Sequence, residues 1–185
     1  MSIATATETR ALTNWKIDPS HSQVEFAVRH LMITTVRGRF NDVKGTIVTD
    51  EADPTKAQVE VTLDVTSIDT REPQRDAHLK SADFFDAEKF PTITFKSTRV
   101  TDVRGDQFKL AGDLTIHGVS REVTLEVTSE GRGKDPWGGE RAGYSATTKV
   151  NRRDFGLTWN QALETGGFVV GDEIKISLDL ELVKS

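Results

Sequence analysis

The chain contains no cysteine. That excludes disulfide frameworks, thiolate zinc sites, thiolate-held iron–sulfur clusters and a cysteine nucleophile. Long apolar runs are missing too. No stretch of about 18 apolar residues exists, so no membrane-spanning helix is expected. Histidine is scarce. His21, His30, His78 and His117 form no His-x-His or His-Glu-x-x-His pair, and no metal is expected from such spacing. No Gly-x-Ser-x-Gly elbow marks a serine hydrolase. Gly131-Arg132-Gly133 runs into Asp135-Pro136 rather than into a helix opening, so it is not a phosphate cradle. A basic excess is also absent. The net charge of −5 repels phosphate backbones and anionic surfaces, so neither a nucleic-acid partner nor a polybasic anchor is expected.

What is present is a soluble, globular balance: 36% hydrophobic and 29% charged residues in a chain of 185. This length suits one domain with a full core. Residues 1–13 show no periodicity and no apolar stretch of signal-peptide length. They are expected to form a flexible tail, with residues 14–185 as a single domain and a cytoplasmic location.

From Trp15 onward the chain reads as strand after strand. Ile174, Ile176, Leu178, Leu180 and Leu182 alternate with Lys175, Ser177, Asp179 and Glu181. A period of two places one set on a dry face and the other on a wet one. Val24, Phe26 and Val28 repeat the pattern, as do Val59, Val61, Leu63 and Val65, then Ile93 and Phe95, then Phe108, Leu110, Leu114 and Ile116, then Val123, Leu125 and Val127. Tyr144, Ala146, Thr148 and Val150 share one side of a further strand. Residues 36–48 complete the set of eight, with a phase slip between Phe40 and Val43 that a β-bulge would produce.

One-sided alternation favours antiparallel pairing. The fold expected from the pattern is mainly β: eight strands in an antiparallel barrel or sandwich, with one short helix inserted between strands 3 and 4. That helix is placed within residues 71–86, with Pro73 in its first turn and Thr70 as a cap. Residues 151–171 form a long apolar connection containing Phe155, Trp159 and Phe168, which is expected to pack over the barrel end.

An eight-stranded barrel is either filled by its own side chains or holds one small ligand. Gly38, Gly112 and Ala146 interspersed with Phe26, Phe40, Phe95, Phe108 and Tyr144 suit an elongated apolar cavity and equally a tapered, filled core. The residues expected to line a cavity are Phe26, Val28, His30, Phe40, Val61, Leu63, Phe95, Phe108, Leu110, Leu114, Tyr144, Ala146, Phe155, Trp159, Ile176 and Leu178. His30 shares the phase of Val24, Phe26 and Val28. It reads as a rim histidine bonded to protein, or as a polar contact for a ligand.

These residues sit within a recognisable order of motifs. Trp15-Lys16-Ile17-Asp18 is followed by His21-Ser22, Val24-x-Phe26-x-Val28-x-His30 and Gly38-x-Phe40. Next come His78-Leu79, Asp83-Phe84-Phe85-Asp86 and Phe90-Pro91-Thr92-Ile93-Thr94-Phe95. Gly112-Asp113-Leu114-Thr115-Ile116-His117-Gly118-Val119 and Asn151-Arg152-x-Asp154-Phe155-Gly156-Leu157 close the series. In this order and spacing the chain resembles the YceI-like, polyisoprenoid-binding family over nearly its whole length. The resemblance implies that the eight strands close into an extended eight-stranded antiparallel, lipocalin-like barrel with an internal lipid pocket, no catalytic residues and no required cofactor beyond a bound lipid. Many members of that family are periplasmic or secreted, and this chain departs from them in showing no signal peptide.

The leading expectation is therefore a non-enzymatic carrier or store for an isoprenoid, an isoprenoid quinone or a similar long-chain amphiphile, not integral to a membrane, with strand edges that permit a homodimer. The helix near Leu79 and the loop from Phe155 to Phe168 would cover the opening. Two other readings remain open: an enzyme with His30 as acid and base acting on an apolar substrate, and a stress or interaction protein with a filled barrel.

Overall fold

Alternation of period two becomes an antiparallel sheet curled until its edges meet. The structure, a computed structural model, describes residues 11–185. The strands are β1 (Leu12–Ile17), β2 (Gln23–His30), β3 (Thr34–Phe40), β4 (Val43–Asp50), β5 (Gln58–Asp64), β6 (Ile68–Asp69), β7 (Thr92–Arg104), β8 (Gln107–Ile116), β9 (Val119–Lys134), β10 (Glu140–Asn151) and β11 (Val170–Lys184). The helix α1 (Pro73–Lys80) lies between β6 and β7. Of the tail expected over residues 1–13, the first ten lie outside the described residues, and Leu12 and Thr13 belong to β1.

Neighbours in the sheet run β1-β4-β5-β7-β8-β9-β10-β11, and β11 returns to β1, closing an eight-stranded antiparallel ring. The strand β2 continues the line of β1 along β11, with Val24 opposite Leu178 and Trp15 opposite Lys184. In the same way β3 pairs with β2 while β4 pairs with β1.

The phase slip anticipated between Phe40 and Val43 is a break rather than a bulge. Asn41 and Asp42 separate β3 from β4. Phe40 is buried on an even-numbered phase, and Val43 and Ile47 on an odd one. The turn at Pro19–His21 makes the opposite switch, from Trp15 and Ile17 to Val24. Each break lets one ribbon change partners while its apolar side chains stay inside.

Helix α1 is shorter than residues 71–86, and its cap differs from the one expected. Glu72, not Thr70, accepts from the backbone N–H groups of Gln74 and Arg75. The Thr70 hydroxyl instead donates to Asp76 and accepts from Arg75 Nε. The segment after Lys80 folds into turns, with the Phe85 N–H bonded to the Leu79 carbonyl and Asp86 in the left-handed region at φ 49°. No helix can continue through that conformation.

Candidate functional site

The inward faces of the ring enclose an apolar cavity of about 260 Å³. It is long. Thr49, Phe108 and Tyr144 line it toward one end of the strands, and Val28, Val170 and Leu79 toward the other. The lining is aliphatic and aromatic except for Glu25, Thr49, Thr148, Arg152 and the Tyr144 hydroxyl.

Small residues make room for rings inside the barrel. A Cβ on Gly112 would sit 2.5 Å from the Phe95 ring, a distance no packed side chain occupies. At the far end Trp15 is buried and its Nε1 donates to the Thr49 hydroxyl at 3.1 Å. The Arg132 guanidinium lies 5.2 Å over the Trp15 ring and bonds both carboxylate oxygens of Glu51. Trp15 and Arg132 thus stopper this end.

The opposite end is covered by chain that leaves the barrel and returns. Leu79, Phe84 and Phe85 come down from α1 and its following turns; Phe155 and Leu157 come from the loop after β10. Arg152 organises that loop. Its side chain is 4% exposed. Nε donates to the Gly171 carbonyl at 2.9 Å, and Nη1 donates to those of Leu157 at 2.8 Å and Trp159 at 2.9 Å. Burial pulls its pKa below the usual arginine value, and Asp172 at 3.4 Å opposes that pull. A guanidinium fork can hold three carbonyls from two chain segments at once; an ammonium cannot match that planar arrangement.

Of the residues expected to line the cavity, Phe26, Val28, Phe40, Val61, Leu63, Phe95, Phe108, Leu110, Leu114, Tyr144, Ala146, Phe155, Ile176 and Leu178 do border it. His30 and Trp159 do not. His30 has the right phase, but it is the last residue of β2, opposite Val170, where the pairing with β11 shifts register. The chain turns away at Leu31 before its side chain can reach the lining. Trp159 stands on the outer side of the cover. Its ring meets the His78 ring edge-on at 4.8 Å and the Phe84 ring at 5.3 Å, joining the loop to α1 above the cavity.

Sequence reasoning passed over Phe84, Phe85, Leu157 and Val170, which complete the cover. They lie in turns or at a strand end, where no periodicity marks a face. Val59, Val123, Leu125 and Val127 also line the cavity, and their alternation was available as a signal.

One polar cluster lies elsewhere. Asp18, His21 and Glu181 bring three ligand atoms within 4.8 Å of one another, but Arg141 Nη1 already bonds Asp18 and Glu181. The cation there is a guanidinium. Ser20 Oγ and Asp18 Oδ2 both approach the same His21 nitrogen, Nδ1, so no serine–histidine–aspartate relay is assembled. Within the described residues, no buried side-chain nitrogen or oxygen lacks a hydrogen-bond partner.

A closed antiparallel barrel around an apolar cavity, covered at one end by a helix and a loop, is the architecture of a lipocalin-like binding protein. The chain belongs to the YceI-like family, whose domain model matches residues 15–182. It is 44% identical over 146 residues to the protein YceI of Escherichia coli O157:H7, covering 78% of this chain and 76% of that one. A Campylobacter jejuni YCEI crystal structure is 31% identical and superposes with a TM-score of 0.72, covering 85% of this chain and 90% of its own. A polyisoprenoid-binding domain from Saccharophagus degradans shares the fold alone, at 13% identity and a TM-score of 0.65, with 92% and 98% covered.

Proposed function

We propose that the protein binds one long-chain amphiphile, an isoprenoid or isoprenoid quinone, with its chain inside the barrel, and carries or stores it without chemical change. The observation that carries this reading is the cavity: it follows the strands, and its lining is almost wholly apolar. Each CH₂ withdrawn from water contributes about 0.8 kcal/mol, so a long prenyl or acyl chain gains affinity with few polar contacts. The lining contains no histidine, which favours binding over acid–base catalysis. The polyisoprenoid-binding domain from Saccharophagus degradans points the same way through its shared fold.

The test is mass spectrometry of the purified protein, first native and then after organic extraction. A stoichiometric prenyl or acyl species is the expected result and would name the ligand class. A clean apo mass, with no uptake of offered isoprenoid quinones, would overturn the proposal in favour of a protein that works through its outer surface.

A further inference from the structure

The turn between β2 and β3 breaks the usual rule for its type. Leu31 and Met32 lie in the left-handed region at φ 51° and 62°, and the Ile33 N–H bonds back to the His30 carbonyl at 3.1 Å. A β-turn with both central residues at positive φ normally carries Asn and Gly there, which adopt that conformation with least strain. Here it carries Leu and Met, and Ile follows.

All three side chains face outward, with Met32 62% and Ile33 72% exposed. A second tip adds Phe168, 52% exposed. The two tips touch: the Leu31 N–H bonds the Val169 carbonyl at 2.8 Å, and a side chain on Gly167 would collide with the Met32 sulfur. Four large apolar side chains therefore project together from one end of the barrel.

We propose that this double tip inserts into a lipid bilayer and seats the covered end of the barrel on the membrane. The inference rests on the lipid-binding reading and names where the lipid comes from. Three observations favour a bilayer over a protein partner. The tip is continuous with the cavity, because Val28 and Val170, which line it, lie within a few residues of the exposed side chains on the same two segments. It is also small and projecting. Four side chains fall well short of the roughly 800 Å² per partner of a stable protein interface, whereas shallow insertion needs only a few apolar residues. Finally, Arg29 lies at its base and donates to the Met32 carbonyl at 3.0 Å, a position at headgroup height once the tip is immersed. The chain's net charge of −5 and Glu164 in the adjoining turn oppose general electrostatic adsorption, so binding through this tip depends little on salt.

The experiment is flotation of the purified full chain with vesicles of phosphatidylcholine containing a minority of phosphatidylglycerol, at low and high salt. The natural chain floats with the vesicles at both. Ile33→Asp combined with Phe168→Ser lowers partitioning about tenfold or more while leaving the circular dichroism spectrum unchanged. Trp137→Ala leaves flotation unchanged; Trp137 is exposed on the β9–β10 hairpin at the opposite end. Failure of the natural chain to float, undiminished flotation of the double variant, or dependence on Trp137 instead would overturn the proposal. So would a dimer in size-exclusion chromatography that the double variant dissolves while flotation persists. A chain that floats but yields no extracted lipid would leave the tip standing and remove the cavity reading; extracted lipid without flotation would do the reverse.

Discussion

The Phe26 ring occupies the space that a Cβ on Gly38 would fill. The two residues face each other across the β2–β3 pair, and any side chain on Gly38 would overlap the ring and crowd the Thr70 methyl. Phe26 borders the cavity, so Gly38 sets how far that ring stands back from it. Gly38→Ala is expected to push the ring inward, cost about 1–3 kcal/mol through overpacking and reduce quinone uptake. Thermal denaturation and a ligand titration on the same sample would check this. Unchanged stability with full uptake would show that the ring has room to move elsewhere.

Phe108 tests the cavity from its other end, where its ring lies 6.4 Å from that of Tyr144. Phe108→Asp places a carboxylate against an almost wholly apolar lining, where burying a charge is costly. Extracted lipid should fall to background while the barrel stays folded by circular dichroism. His30→Ala is the matched comparison and should retain lipid fully, because His30 stops short of the lining.

Arg152 holds the loop over the cavity by its three carbonyl bonds. Arg152→Ala removes the guanidinium donor from all three carbonyls, that of Leu157 in a buried bond, and should destabilise the protein by about 2–4 kcal/mol. Limited proteolysis is expected to cut first within residues 156–169. Arg152→Lys should restore little of this, since an ammonium cannot reproduce the planar fork. Protease resistance equal to the natural chain would remove Arg152 as the organiser of the cover.

Asp18 sets part of the response to acid. Hydrogen bonds from Ser20, then His21 and Arg141, hold its carboxyl well below the usual carboxylate range. A carboxyl whose pKa is depressed in the folded state stabilises above its unfolded pKa of about 4 and loses that contribution as the pH falls below it. Asp18→Asn should therefore lower the melting temperature at neutral pH and narrow its gap to the natural chain under acid. Melting curves from neutral to strongly acidic pH would show the two converging. A constant difference across that range would assign the loss to packing rather than to ionisation.

Alternation alone determined which side chains face inward. Phe108 and Leu110, Tyr144 and Ala146, Ile176 and Leu178 were legible because the period of a strand is a property of neighbouring residues. The same alternation, running through eight segments with turn residues between them, already implied an antiparallel barrel or sandwich; the pairing of β11 with β1 closes it into a barrel. The helix signal at Pro73 was local as well. The phase slip after Phe40 was visible in the sequence, yet its meaning was not. Whether Asn41 and Asp42 make a bulge or end a strand depends on which ribbons lie alongside.

Tertiary structure decided the rest, because strand ends, partners and covers are set by contacts between residues far apart in the chain. His30 carries the correct phase and misses the cavity only because β2 ends there. Trp159 is apolar and sits in the covering loop, but the His78 and Phe84 rings draw it to the outer side. Phe84 and Phe85 lie in turns without a period and reach the interior only through the path the chain takes after α1. Leu31, Met32 and Ile33 fall between the two segments that alternation marks, Val24 to Val28 and residues 36–48, and no period assigns them a face. It is the pairing of His30 with Thr34 that turns them out into solvent at one end of the barrel.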